Sequence, residues 1–207
     1  MPLYKSLNPN SQTSVKIWKI TESLEALKAP VTLKPESEER LNGMKSEIHQ
    51  RGFLSVRHLL RAFGYTDLDL YYDALGKPHL KDGRQISITH SFTFSAVIVS
   101  DSIVGIDIEM QREKITRIAR KFIDFEADYL KSGVDLVNRL TVIWGAKESL
   151  YKLAETPGLS FKNNCLVLPF TMKNDTTTAW IDFNNHKSKY EIRFLEFEGF
   201  TCAYALS

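Results

Sequence analysis

The chain is 207 residues long, 43% hydrophobic and 25% charged, with a formal net charge of +2. That composition excludes collagen-like, low-complexity and wholly disordered chains, and the length suits one sizeable domain or two small ones. No apolar run approaches the roughly 18 residues of a membrane-spanning helix, and so small a net charge excludes a broadly basic nucleic-acid binder.

In chain order, residues 15–20 (VKIWKI) read as a short strand, and Thr21 as the N-cap of a helix over 22–28. Pro35 followed by Glu36, Glu38 and Glu39 marks a helix start. Proline is tolerated in the first turn, and acids suit the positive end of the dipole. The helical pattern runs to Phe63, with a break expected at Gly43 or Gly52 and a stop at Gly64. Residues 68–72 are strand-like and lead into a turn at 74–78. Residues 85–90 and 94–100 alternate as strands. Asp101-Ser102 is a tight link into a strand over 103–109, which predicts a β-hairpin. Helical signals follow at 115–122, from Asp124 to near Gly133, and from Val134 to Glu155, where Pro157-Gly158 stops the last. The tail, 161–206, reads as four short strands with turns at Asn174-Asp175, Asn184-Asn185 and Gly199. Strand, helices, then strands occurs over 15–100 and again over 103–206, without a residue-level repeat. The expected class is α+β with mostly antiparallel sheet, in two halves, 1–102 and 103–207.

Charge is uneven between the halves. Residues 1–63 hold ten Lys and Arg against six Asp and Glu, leaving the remainder slightly acidic, a balance suited to a small polyanionic ligand. Cys165 and Cys202 form no disulfide framework and read as buried small hydrophobes. The five histidines show no metal-ligand spacing, and no nucleotide-loop or nucleophile-elbow glycine motif occurs. The N-terminal MPLYKSLNPNSQTS contains no apolar stretch of signal-peptide length, so a cytoplasmic location is expected.

Four constellations carry chemical interest. In Val104-Gly-Ile-Asp-Ile-Glu109, alternation sends Val104, Ile106 and Ile108 to the core and Gly105, Asp107 and Glu109 to the other face. Two carboxylates side by side repel unless a cation sits between them, and Mg²⁺ suits them; Gly105 leaves room for a ligand. The alternative is a solvent-facing strand with two acids. In Trp144-Gly-Ala-Lys-Glu148-Ser-Leu-Tyr-Lys152, helical spacing puts Trp144, Glu148 and Lys152 on one stripe. Glu148 and Lys152 are either a surface pair or, beside a partly buried Trp, groups with a task. Gly76-Lys77-Pro78 presents a lysine on a stiff turn, and Thr89-His90-Ser91 ends a strand with donors suited to phosphate oxygens; His90 is otherwise structural. Arg57 is either an anion clamp or a solvated helix residue.

The order Gly-Lys-Pro, Thr-His-Ser, GxDxE, WxxKExxxK resembles the 4′-phosphopantetheinyl transferases, and more closely their larger, two-half type. The agreement in specific motifs spans residues 57–152. The resemblance implies two similar α+β halves with the active site in the cleft between them. It implies transfer of the phosphopantetheine arm of coenzyme A to a serine of an apo acyl or peptidyl carrier protein, releasing 3′,5′-ADP. By motif match Asp107, Glu109 and Glu148 would hold Mg²⁺, Glu148 would serve as base, and Lys152 would stabilise the leaving phosphate. Lys77, Thr89 and His90, with Arg57, would contact coenzyme A phosphates; Arg40, Lys45 and Arg51 have no assigned place. The two-half type implies a monomer. Departures are Ile108, where some relatives carry a polar residue, and Thr89 in place of a common Ser. The helical stretch 115–130, with Arg117, Arg120 and Lys121 beside Ile118, Phe122 and Phe125, reads either as a docking element for an acidic carrier or as an ordinary amphipathic helix. A member that binds without catalysis, and an unrelated Mg²⁺-dependent nucleotide enzyme, are the competing readings. Fatty-acid, polyketide and peptide pathways all stay open.

Overall fold

A computed structural model describes residues 3–130, 133 and 135–207. The chain divides into two compact units, residues 1–102 and 103–207. Among the described residues every strand pairing is antiparallel.

In the first unit, β1 (Leu3–Asn10) and β2 (Thr13–Lys19) form a hairpin, followed by α1 (Leu24–Lys28), α2 (Pro35–Gly43) and α3 (Glu47–Ala62). Short strands β3 (Leu70–Tyr72) and β4 (Pro78–Leu80) pair with each other, then β5 (Gln85–Ser91) and β6 (Phe94–Ser100) complete a four-stranded sheet in the order β1-β2-β6-β5. Helix α3 buries Phe53, Leu54, Val56, Leu59 and Leu60, a helical repeat that meets Val97 and Val99 of β6 and Leu27 of α1. Pro35 opens α2 as expected. The cap of α1 is Ser23, not Thr21: the Ser23 hydroxyl accepts from the Ala26 N–H at 3.2 Å. The helical stretch breaks at Gly43 and runs unbroken through Gly52; the Phe63 cap and Gly64 at φ +88° then end it.

In the second unit, β7 (Val104–Met110) is followed by the short α4 (Lys114–Ile118) and by 3₁₀ turns at Ala119–Lys121 and Phe125–Ala127. The long helix α5 (Leu136–Ala154), the single-turn α6 (Phe161–Asn164) and strands β8 (Cys165–Val167), β9 (Thr176–Phe183), β10 (His186–Phe197) and β11 (Phe200–Leu206) follow. The sheet order is β7-β11-β10-β9-β8. The hairpin expected across Asp101-Ser102 does not form: β6 pairs with β2 and β5, and β7 pairs with β11. Where a helix is expected from Asp124 there is a 3₁₀ turn at Phe125–Ala127, and Asp124 makes no side-chain cap bond; part of the expected end near Gly133 lies outside the described residues. The expected start of the next helix at Val134 lies outside the described residues. The turns around Asp175, Asn184-Asn185 and Gly199 all use positive φ, which Asn, Asp and Gly adopt at low cost. Cys165 and Cys202 are buried free thiols. No helix among the described residues is long and apolar enough to cross a membrane.

Candidate active site

The site is built where α5 lies across β7 and β11. Register pairs Asp107 with Ala203 and Gly105 with Ala205, and both alanines belong to the core that α5 covers. Gly105, Asp107 and Glu109 therefore face the helix. Gly105 is required there for a reason the sequence reading missed. A Cβ at Gly105 would lie 1.9 Å from the backbone oxygen of Ser149 on α5. Gly105 makes room for the helix rather than for a ligand. On the helix side, a Cβ at Gly145 would meet the Ala203 Cβ at 3.1 Å. The Ser149 hydroxyl fastens the contact, donating to the Gly145 and Ala203 carbonyls at 2.7 and 3.0 Å. Val104, Ile106 and Ile108 are buried on the opposite face, and Gly105 and Asp107 are buried too, so the alternation does not separate a core face from an open one.

This close approach sets one helix stripe over the strand's two acids. The Lys152 ammonium donates to Asp107 Oδ1 at 2.8 Å and to the Ile106 carbonyl at 2.9 Å. The Trp144 indole N–H donates to Glu109 Oε1 at 3.3 Å. Glu148 lies between Trp144 and Lys152 on the same stripe and is partly buried. Burial first, then the charges of Asp107 and Glu109, push its carboxyl up to about 7, against the pull of Lys152. Burial and the Asp107 charge also raise Glu109, opposed by the Trp144 hydrogen bond, Lys152 and Arg112. Three carboxylates thus share one electrostatic environment, countered by the Lys152 ammonium and, at Glu109, by the Arg112 charge.

The donor set is all carboxylate oxygen, which fits a hard divalent cation. The geometry is looser than that chemistry: among the described residues no three His, Cys, Asp or Glu side chains converge into a ready cation cage. Asp107 and Glu109 each direct an oxygen to a protein donor instead. The residues fit the ion by kind and charge, though their side chains are not gathered into a cage.

Lys147, which the sequence reading left without a role, is a separate construction. Its ammonium is fully buried and donates to Glu126 Oε1 at 2.9 Å and to the Phe122 and Phe161 carbonyls at 2.7 and 3.0 Å. Burial lowers its pKa, and Glu126 opposes the shift. The sequence signal available was a lysine one position from the Trp144 stripe in a helix apolar on several sides. Its partner, Glu126, lies in the 115–130 stretch, and no local spacing in the sequence links the two. Arg117, Arg120 and Lys121 of that stretch are exposed, and Phe122 is buried.

In the first unit, Lys77 follows Gly76 (φ +84°) in the turn between β3 and β4. Asp73 builds that turn, accepting from the Leu75 and Lys77 N–H groups at 2.9 Å and pairing with His79 at 3.0 Å. Burial lowers the pKa of Lys77, opposed by Asp73. Thr89 is buried and His90 exposed at the end of β5. The His90 ring leans on α3 where Gly52 sits: a Cβ there would lie 3.1 Å from its Nδ1. That contact explains a glycine inside an unbroken helix.

Arg57 requires correction. It is neither an open anion clamp nor a solvated residue, being only 2% exposed. Its Nε donates to Asp67 Oδ1 at 2.9 Å, its other nitrogens to the Ser37 hydroxyl and the Phe53 carbonyl, and its guanidinium carbon lies 3.5 Å from the Phe53 ring centre. Three of its five N–H donors end on its own unit, and its charge is paired with buried Asp67.

Residues 103–205, about half of the chain and nearly all of the second unit, match the 4'-phosphopantetheinyl transferase superfamily. No curated protein sequence matches the chain.

Proposed function

The chain belongs to the 4'-phosphopantetheinyl transferase superfamily, and on that premise we propose that it is a Mg²⁺-dependent transferase of the two-half type, acting as a monomer. It moves the phosphopantetheine arm of coenzyme A onto a serine of an apo acyl or peptidyl carrier protein and releases 3′,5′-ADP. One observation supports the reading: the GxDxE strand and the WxxKExxxK helix, far apart in sequence, meet, with Lys152 on Asp107 at 2.8 Å and Trp144 on Glu109 at 3.3 Å, and burial first, then the Asp107 and Glu109 charges, pushes the Glu148 carboxyl up to about 7.

In this reading Asp107, Glu109 and Glu148 would hold Mg²⁺, which would supply charge neutralisation during transfer. The serine oxygen forms a bond to the β-phosphorus, and the bridging oxygen leaves with 3′,5′-ADP. Glu148 takes the serine proton, directly or through a water. Lys152, whose ammonium has three donors, gives two of them to partners among the described residues and is assigned to the leaving phosphate. Lys77, Thr89 and His90 are assigned to coenzyme A phosphates, and Arg57 is not. The exposed Arg117, Arg120 and Lys121 are assigned to the acidic carrier.

The test is mass spectrometry of an apo carrier protein incubated with the chain, coenzyme A and Mg²⁺. A gain of one phosphopantetheine per carrier supports the reading. Saturable coenzyme A binding with no mass gain on acyl or peptidyl carriers makes the chain a binder instead.

A further inference from the structure

Trp144 occupies a cage on α5. Its ring stands edge-on to Phe122, with centroids 5.1 Å apart at 70°, and packs on Phe161 at 5.5 Å and 59°. The backbone oxygens of those same two phenylalanines accept from the fully buried Lys147 ammonium. The cage is therefore fixed twice, by ring packing around Trp144 and by the Lys147 ammonium that ties both carbonyls and Glu126 to one point. An indole carries a single polar group, an N–H that donates along the ring plane. Holding the ring fixes the direction of that donor, and here it ends on Glu109 Oε1 at 3.3 Å. Phe at this position would keep an aromatic ring against Phe122 and Phe161 but carry no donor for Glu109.

We infer that Trp144 is a positioning residue for Glu109: it occupies one carboxylate oxygen and sets the carboxylate's rotation, so that the other oxygen is presented to a divalent cation. The inference rests on the transferase reading for its consequence, but the hydrogen bond itself is independent of catalysis. A hydrogen-bond partner behind a metal ligand typically contributes about 10- to 100-fold in metal affinity or activity.

The experiment compares the full chain with Trp144→Phe, which keeps the ring and removes the donor. Isothermal titration with Mn²⁺ is expected to show binding weakened about 10-fold in the variant, while its melting temperature stays within a few degrees of the parent. In the transfer assay the variant should show a raised Mn²⁺ requirement with an unchanged KM for coenzyme A. Independently, the Trp144 indole N–H resonance in the metal-free chain should move on Glu109→Gln. Equal Mn²⁺ affinity in the two proteins, or an indole resonance indifferent to Glu109→Gln, overturns the inference and leaves the transferase reading untouched. If the chain binds Mn²⁺, the variant binds it weakly and neither protein modifies a carrier, the transferase reading falls and the positioning role stands.

Discussion

Lys147 and Lys152 stand on the same helix, and each ends on a carboxylate at hydrogen-bonding distance, yet they belong to different kinds of region. At Lys147 the ammonium and Glu126 are both fully buried, and two backbone carbonyls take the remaining protons. Charge balances and every donor is used, so the region is closed. At Lys152 the side chain is 29% exposed, and Glu109 and Glu148 stand beside its partner Asp107. Three carboxylates are gathered there, countered by Lys152 and, at Glu109, by Arg112. An ion pair of similar length is thus structural in one place and part of a reactive site in the other. What separates them is the surroundings, not the bond.

Substituting each lysine by methionine breaks the comparison most sharply. Lys147→Met leaves Glu126 charged in an apolar core, which costs about 3–5 kcal/mol of stability, measured by denaturant unfolding. Lys152→Met should cost less than about 2 kcal/mol, because solvent reaches the pair. Its carrier-modification rate should nevertheless drop on the order of 100-fold or more, the usual loss when a charge-stabilising donor is removed. Equal stability losses in the two variants would show that the regions do not differ.

Gly105→Ala tests what brings the second region together. With a Cβ 1.9 Å from the Ser149 oxygen, α5 must move off β7. The expected cost is about 3 kcal/mol, at the upper end for overpacking. Loss of transfer should accompany it even where the chain stays folded.

Much of this was legible in the sequence, and the omissions share a cause. The strands at 85–91, 94–100 and 104–110, the long α5 and the four-strand tail are visible because alternation and helical spacing are local signals. The acids and Lys152 are visible because their spacing puts them on one strand face and one helix stripe. What the sequence hid depends on long-range partners. Gly105 read as room for a ligand, because nothing local says that the Ser149 carbonyl arrives there. Arg57 read as exposed or clamping, because Asp67 and Ser37 come from other segments. Strand β7 follows β6 so closely that a hairpin was expected, and only the pairing with β11 at the far end of the chain overrides it.

The pH dependence sharpens the contrast with a smaller effect. Glu148 has an ordinary pKa of 4.5 when unfolded and about 7 when folded. A carboxyl that keeps its proton longer in the fold stabilises the fold fully below pH 4.5, and that contribution is lost as pH rises through about 7. The metal-free melting temperature should therefore decline over that window, and Glu148→Gln should flatten the decline. Mg²⁺ added above pH 7 should restore stability to the parent and less so to the variant. A variant with the parent's pH profile would mean that Glu148 does not sit among competing charges.

The smallest effect is expected in the first unit. His90 is exposed, and its ring contact with α3 is light, so His90→Ala should leave the fold intact. It should raise the KM for coenzyme A about 10-fold or more, as loss of one charge-assisted hydrogen bond of about 1.5 kcal/mol or more would, with kcat little changed. A collapse of kcat at constant KM would move His90 into the chemistry.

The most direct measurement is anomalous diffraction from crystals of the chain grown with coenzyme A and Mn²⁺. A Mn²⁺ peak with oxygen ligands from Asp107, Glu109 and Glu148, on the pyrophosphate, is the predicted result. A fully bound coenzyme A whose pyrophosphate lies away from these three side chains, with no metal among them, would contradict it.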